Sequence, residues 1–368
     1  MIIGLRISRL LRCKRSRIFL LVSVSLFLRR MSRRAGQYNG GGLSDPMCPL
    51  EERYGIGLEL LRFFREINYP VCFSTKSDLV LRDKRYQEVF RGAKNFMVKV
   101  TIITLDKDKA ARIEAGCPSP YTRLATIKQF SDLGVRTVLR LRPFIIGLSE
   151  KTAPELIKRA AENGAEAIST EFFCLESRIT KNLMNKYRIM SEVLGFDIYK
   201  FYKQFSTGSG YLRLNRKIKQ PYVELMRGAC DKYNMRFYIS DAHWKEMCHN
   251  GSCCGLPAGD PIWGNYVKQF TEAAVIARKT GSVRFSDIAD GFEWTKGFTW
   301  KNAPGFNTGT TSKRNKYWNM RMYDWIRAIW NSPNSLKSPY KYFGGVLQPA
   351  GKDENGDLIY KYCPQNKC

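Results

Sequence analysis

Short apolar runs alternate with segments of helical periodicity between residues 37 and 180. In these segments apolar residues recur every three or four positions, which is typical of a helix packed on one side. Gly134 and Gly164 follow two of the segments, where helices commonly end. The predicted helices are 58–67, 120–133 and 153–163, and the predicted strands are 37–41, 71–75, 96–103, 136–141 and 165–170.

This alternation predicts an α/β fold with a parallel sheet, because right-handed crossover helices connect parallel strands. An open doubly wound sheet and a partial β/α barrel both fit the pattern. After residue 180 the pattern predicts one helix at 182–194, a loop-rich stretch at 205–216 and one more strand at 236–240. We therefore place a boundary near residue 180 and divide the chain into 1–36, 37–180 and 181–368.

The chain is strongly basic, with 61 Lys and Arg residues against 33 Asp and Glu residues and a formal net charge of +28. Such an excess favours a polyanionic partner, most simply nucleic acid, and an inert basic surface is the alternative. Residues 1–36 contain no acid at all.

The apolar run at 18–28 does not predict a membrane span. It is shorter than the roughly 20 residues that a spanning helix needs. Arg29 and Arg30 follow it where a signal peptide would have small residues. A basic helix on a membrane surface is the alternative. We expect a soluble cytoplasmic protein with an atypical amino terminus.

Small polar and charged residues follow two of the predicted strands. Ser44 and Asp45 come after the first, and Lys76 and Asp78 come after the second. Polar residues at the carboxyl ends of barrel strands usually serve chemistry, not packing. The sequence therefore predicts a site at this edge of the sheet.

Five segments, in order over residues 37–172, resemble the radical S-adenosylmethionine (SAM) superfamily and, within it, the spore photoproduct lyase-like branch. None is specific alone, but their common order is informative. They are GGLSDP (41–46), STKSDLVLRD (74–83), VTIITLD (100–106), IEAGCPSPYTRL (113–124) and RPFIIGL (142–148). The resemblance implies a partial (β/α)6 barrel open on one side, with SAM across the carboxyl ends of its strands. It also implies a [4Fe-4S] cluster that cleaves SAM to a radical, with the protein orienting the cofactors.

The resemblance also implies roles for individual residues. Ser44 and Lys76 match the Ser and Lys that hold the methionine moiety of SAM, and an ammonium suits a carboxylate or ribose oxygen. Thr101, Arg142 and Glu171 would face the mouth of the barrel as further cofactor-binding residues. The alternatives for these three are a threonine in the strand interior, a surface arginine and a solvated glutamate.

The sequence departs from the family in the cluster loop. The family binds its cluster through three cysteines spaced C-x3-C-x2-C, since iron–sulfur clusters take thiolate ligands. None of the eleven cysteines shows this spacing, and Cys13 stands alone before Cys48. We expect a chain that lacks the first barrel strand and the cluster loop, which leaves open whether it is an enzyme.

Cysteines near the carboxyl terminus form two groups, C-x4-C-C and C-x4-C. Four thiolates suit zinc or an auxiliary iron–sulfur cluster, and unrelated free thiols are the alternative. The lyase resemblance adds a third reading, a cysteine that donates hydrogen, for which Cys253 or Cys254 is the catalytic candidate. His249 is a further candidate ligand, and the predicted metal ligands are Cys248, Cys253, Cys254, Cys363 and Cys368.

Aromatic and basic residues interleave over 292–327, which suits base stacking and phosphate neutralisation. The alternative is a helix at 317–330 with its aromatic face packed on the barrel. Two functions follow from the sequence. The first is a radical SAM enzyme of the spore photoproduct lyase-like type acting on nucleic acid. The second is a nucleic-acid-binding protein that keeps the barrel without catalysis.

Overall fold

The structure is a computed structural model of the 368-residue chain. Of the predicted site residues, Ser44, Cys253, Cys254 and Cys368 lie outside the residues that it describes. The described residues are 38–40, 45–177, 180–207, 210–250, 255, 270–297, 299 and 319–364.

The main sheet has six described strands, and every neighbouring pair is parallel. Its strands are β1 (Tyr38–Gly40), β2 (Val71–Thr75), β3 (Phe96–Thr101), β4 (Arg136–Phe144), β5 (Ala167–Phe172) and β9 (Arg236–Ile239). The strands follow one another across the sheet in sequence order. A doubly wound sheet reverses its strand order at a switch point, and this sheet does not. The predicted α/β fold is thus confirmed as a partial β/α barrel.

Seven described helices accompany the first five strands: α1 (Pro49–Tyr54), α2 (Ile56–Glu66), α3 (Leu79–Arg82), α4 (Lys84–Phe90), α5 (Lys107–Ile113), α6 (Pro120–Asp132) and α7 (Ala153–Glu162). Side-chain caps fix where several of them begin. Asp106 accepts a hydrogen bond from Lys109 N at the start of α5, and Ser119 accepts one from Thr122 N at the start of α6. Such caps satisfy amide groups that the first helical turn leaves free.

A long insertion connects the carboxyl end of β5 to the start of β9. It contains α8 (Lys181–Leu194), α9 (Ile198–Phe205) and the short strands β6 (Leu175–Glu176), β7 (Ser206–Thr207) and β8 (Tyr211–Leu214), and α10 (Arg216–Lys232) completes the crossover. Strand β8 pairs antiparallel with both β6 and β7. The loop-rich stretch expected at 205–216 is therefore partly a small sheet. Arg112 on α5 forms an ion pair with Glu192 on α8 at 3.6 Å, so the insertion reaches across the carboxyl edge.

The boundary expected near residue 180 does not mark the end of the barrel. Strand β9 is the sixth strand of the main sheet, and the main hydrophobic core continues to Cys248 and Val275. The sequence pattern suggested a boundary there because the insertion interrupts the alternation of strand and helix. No helix among the described residues is both long enough and apolar enough to span a membrane.

The described residues between 270 and 364 form a second packed unit with its own core, although Val275 belongs to the main core. It contains α11 (Phe270–Thr280), α12 (Met322–Trp330), α13 (Pro339–Tyr342) and the strands β10 (Ser282–Val283), β11 (Leu347–Lys352) and β12 (Leu358–Tyr362). Trp330 is fully buried in this core, where its ring contacts Tyr360. The aromatic face of α12 therefore packs on the second core, and not on the barrel as in the alternative interpretation of this segment.

Candidate functional site

A cavity of about 450 Å³ opens at the carboxyl ends of β2 and β3. The loops after β1, β2 and α5 surround it, because parallel strands bring all their carboxyl ends to one edge. The lining side chains are mainly polar. They include Asp45, Cys48, Glu52, Ser74, Thr75, Lys76, Ser77, Asp78, Arg82, Thr101, Cys117 and Arg140.

Asp45 joins the first two loops of the cavity. Its Oδ2 atom accepts hydrogen bonds from the Thr75 hydroxyl at 3.1 Å and from the backbone amide of Lys76 at 2.6 Å. Its Oδ1 atom accepts from Met47 N at 2.9 Å. One carboxylate therefore holds the backbone on both sides of the cavity mouth. Ser44, the residue before Asp45, lies outside the described residues, so its predicted role stays a prediction.

Lys76 reaches the cavity wall, with 37% of its side chain exposed. Its ammonium lies 2.9 Å from Glu114 Oε1, and the other oxygen of Glu114 lies 2.7 Å from Arg123 Nη1. The Glu114 and Arg123 side chains are only 5% and 1% exposed. Sequence reasoning did not assign a role to either residue, although both belong to the segment at 113–124.

Thr101 and Arg140 form the inner wall of the cavity. Thr101 is buried at the end of β3, and its hydroxyl accepts a hydrogen bond from Arg140 Nη1 at 3.3 Å. The two residues are direct neighbours across β3 and β4. The structure therefore brings Thr101 and Lys76 to one cavity, as the resemblance implies, and adds Arg140, which the sequence did not single out.

Arg142 and Glu171 lie on the neighbouring strands and not among the residues that line this cavity. They form an ion pair with each other, and Arg142 Nη1 donates to Ser240 Oγ at 3.1 Å. These contacts tie the ends of β4 and β5 to the residue after β9. Both side chains are partly exposed, so the ion pair is compatible with a surface arginine. Their predicted contact with a cofactor stays a prediction.

The charges at the cavity balance. The acids Asp45, Glu52 and Asp78 face the cations Lys76, Arg82 and Arg140. Arg82 forms ion pairs with both Glu52 and Asp78, and the Lys76 ammonium pairs with Glu114. Such a wall suits a polar ligand that has both hydrogen-bond donors and acceptors.

Two free thiols also line the cavity. Cys48 precedes α1 and Cys117 follows Gly116, and both are partly exposed. Their spacing gives no signal in the sequence, because the two residues lie far apart along the chain. Cys72, in contrast, is fully buried on β2. Burial raises the pKa of Cys174, which disfavours its thiolate form.

Cys248 and His249 lie along the outer edge of β9 and bind its backbone amides. The buried Cys248 sulfur accepts a hydrogen bond from Ile239 N at 3.3 Å, and His249 Nδ1 accepts one from Phe237 N at 2.8 Å. Burial lowers the pKa of His249, which favours the neutral ring that this hydrogen bond requires. Both side chains therefore satisfy amides at the open edge of the sheet.

A metal centre at the carboxyl-terminal cysteines stays a prediction. Within the described ranges, no three His, Cys, Asp or Glu side chains are grouped so that they could hold a metal ion. Cys363 is disulfide-bonded, so its sulfur is not a thiolate in this state. Cys253, Cys254 and Cys368 lie outside the described residues.

The described residues thus form a partial β/α barrel with a cavity lined by many polar side chains at the carboxyl edge of its strands. No family model and no curated protein matches the chain. Among solved structures, the chain is similar to a variant of spore photoproduct lyase, with a TM-score of 0.44 and 15% identity. That match covers 58% of this chain and 64% of the other.

Two further solved structures resemble the chain. Spore photoproduct lyase complexed with dinucleoside spore photoproduct gives a TM-score of 0.43 at 15% identity, covering 58% of this chain and 64% of that one. Streptococcus suis SuiB bound to S-adenosylmethionine gives 0.29 at 15% identity, covering 54% and 46%. The chain spans slightly less than two thirds of the lyase structures. The likeness to spore photoproduct lyase predicted from the motifs is confirmed, and at this identity it concerns the fold alone.

Proposed function

We propose that this chain binds SAM in the cavity beside Lys76 and is the SAM-binding core of a radical SAM enzyme of the spore photoproduct lyase-like type. The observation that carries the proposal is the Lys76 ammonium, held at the wall of a 450 Å³ cavity between the ends of β2 and β3. Lys76 would bind the carboxylate of SAM, and the Thr101 hydroxyl offers a hydrogen-bonding partner on the opposite strand.

The described residues do not fit the [4Fe-4S] cluster that the resemblance implies. The sequence has no C-x3-C-x2-C spacing, and the cavity wall offers two thiols, Cys48 and Cys117, in place of three. What the described residues supply is a binding surface: Asp45 fixes the loops, Lys76 holds an anionic group and the buried strand ends limit access of water.

SAM binding is testable by protection of the two cavity thiols from alkylation. We expect SAM to slow the reaction of Cys48 and Cys117 with a maleimide, because the ligand would cover both, and to leave Cys174 unaffected. Mass spectrometry of tryptic peptides reports each site separately, and equilibrium dialysis gives the affinity. Saturable binding without protection would place the ligand elsewhere, and absence of binding would favour the non-catalytic alternative.

We propose single-stranded nucleic acid as the partner, contacted by the insertion between β5 and β9. Residues 180–217 carry eight Lys and Arg residues against two acids. Tyr211 and Arg213 lie on the same face of β8, and the Arg213 guanidinium lies 5.8 Å from the centre of the Tyr211 ring. Exposed aromatic rings among cations suit base stacking and phosphate contact.

A matched pair of double variants tests this surface. Tyr211→Ala with Arg213→Ala is expected to weaken binding of a short single-stranded DNA by roughly 5- to 100-fold, the worth of one stacked base. Tyr121→Ala with Arg159→Ala is the control. Tyr121 is 48% exposed, Tyr211 is 52% exposed, and Arg159 lies 5.7 Å from the centre of the Tyr121 ring. Fluorescence anisotropy at several salt concentrations measures both.

Equal losses in the two double variants would show that total charge governs binding, not the β8 surface. Affinity that does not fall as salt rises would contradict the nucleic-acid proposal itself, since phosphate contacts release counterions.

A further inference from the structure

Lys76 is held at both ends. Its backbone amide donates to Asp45 at 2.6 Å, and its ammonium lies 2.9 Å from Glu114 Oε1. A free lysine side chain samples many rotamers, and fixing it costs up to about 2 kcal/mol of entropy. A ligand that meets an already fixed ammonium does not bear that cost on binding.

Glu114 is in turn fixed by a buried arginine. Arg123 Nη1 donates to Glu114 Oε2 at 2.7 Å and to the backbone oxygen of Thr101 at 2.8 Å, while its Nε donates to Pro118 O at 2.9 Å. These bonds tie α6 to the end of β3 and to the loop that lines the cavity. The position of the Glu114 carboxylate is therefore fixed, and in that position it contacts the Lys76 ammonium.

Within the trio of Lys76, Glu114 and Arg123 the charges do not cancel, although those of the residues that line the cavity do. Arg123 and Lys76 contribute two positive charges, and Glu114 contributes one negative charge. Arg123 is buried, so the net positive charge meets the cavity at the Lys76 ammonium. A carboxylate on the ligand can approach that ammonium while Glu114 remains bound to it.

We propose that Glu114 is the positioning residue of this site, fixing the Lys76 ammonium where it binds the ligand carboxylate, and that Arg123 fixes Glu114. The inference rests on the proposed function, since it takes the carboxylate to be that of SAM. Glu114 acts through Lys76, so its contribution to affinity exists only while Lys76 is present.

A double-mutant cycle tests this dependence. Glu114→Gln keeps the shape and the bond to Arg123, and it is expected to weaken SAM binding about tenfold, within the usual coupling of residues in one ion-pair network. In a Lys76→Met background the same change is expected to have no further effect. Dissociation constants from equilibrium dialysis of all four proteins give the coupling. The proposal would be overturned if the double variant lost affinity by the product of the two single losses, or if Glu114→Gln bound SAM with unchanged affinity.

A second measurement needs no ligand. The acylation rate of Lys76 by acetic anhydride, read by mass spectrometry, is expected to rise several-fold in Glu114→Gln, because the side chain is no longer held against the cavity wall and becomes more accessible to the reagent. Lys128 is the internal control, since it pairs with Asp132 far along α6. Faster acylation in a protein that does not bind SAM would reject the proposed function and keep the positioning role. SAM binding with an unchanged acylation rate would reject the positioning role of Glu114 and keep the proposed function.

If Glu114→Gln does not fold, Glu114→Asp serves instead. It keeps the charge and withdraws the carboxylate by one methylene, and the same loss of affinity and faster acylation are expected. Near-ultraviolet circular dichroism establishes that each variant keeps the native packing.

Discussion

Replacing Arg123 by leucine is expected to lower the free energy of unfolding by about 3–5 kcal/mol, because the change leaves the buried Glu114 carboxylate without its buried arginine partner. The variant also loses the hydrogen bonds from Arg123 to the buried backbone oxygen of Thr101 and to the partly buried oxygen of Pro118. Urea unfolding followed by far-ultraviolet circular dichroism measures the loss. The same variant should bind SAM weakly, since Glu114 would no longer be held against Lys76.

Two controls separate the buried charge from the loss of packing. Arg123→Leu combined with Glu114→Leu removes both charges and is expected to recover a large part of the loss. Arg85→Leu removes an exposed arginine paired with Asp83 and is expected to change the stability little, because water screens exposed ion pairs. A double variant as unstable as Arg123→Leu alone would mean that the backbone bonds dominate, not the ion pair.

Replacing Glu51 by leucine is expected to cost about 3–5 kcal/mol for a different reason. The buried Glu51 carboxylate accepts hydrogen bonds from Gly57 N at 2.8 Å, from Leu58 N at 2.9 Å and from the Tyr86 hydroxyl. Leucine accepts none of them, and each donor left unpaired costs roughly 1–3 kcal/mol. Urea unfolding measures the change, and faster alkylation of Cys48 would show that α1 has loosened.

Two milder variants of the Glu51 hydrogen-bond network provide a comparison for the loss of stability in Glu51→Leu. Glu51→Gln keeps an acceptor oxygen and is expected to lose less than Glu51→Leu. Tyr86→Phe removes one donor together with its need for a partner, so it is expected to cost about 1 kcal/mol. If Glu51→Leu were no less stable than Tyr86→Phe, the hydrogen bonds from the two backbone amides at the start of α2 to Glu51 would contribute little to the stability.

The periodicity of apolar residues was sufficient to predict most of the barrel. Strand β2 has the predicted bounds, and α6 and α7 begin at the predicted residues. Parallel strands bring their ends together whatever the intervening sequence is. The pairing of Lys76 with Thr101 in one cavity could therefore be predicted once the strands were recognised.

The parts that could not be predicted depend on side-chain partners distant in sequence. Nothing in the spacing of Glu114 and Arg123 reveals that both are buried or that Lys76 meets them from another loop. Cys248 and His249 look like metal ligands in the sequence, yet they bond to the amides of β9, an arrangement that depends on how the chain turns back after that strand. The pattern predicted the strand at 236–240 but not that β9 is the sixth strand of the main sheet, because helices and short strands of the insertion lie between it and β5.

The strand order of the main sheet has a consequence for synthesis on the ribosome. Each strand from β2 to β5 pairs with the strand made just before it, so the sheet can grow as the chain emerges. Strand β9 begins only at Arg236, long after β5 ends at Phe172. Until then β5 exposes an unpaired edge, which is a template for pairing with other nascent chains. Chaperones that recognise such edges therefore have most time to bind nascent chains in which β5 has been synthesised and β9 has not.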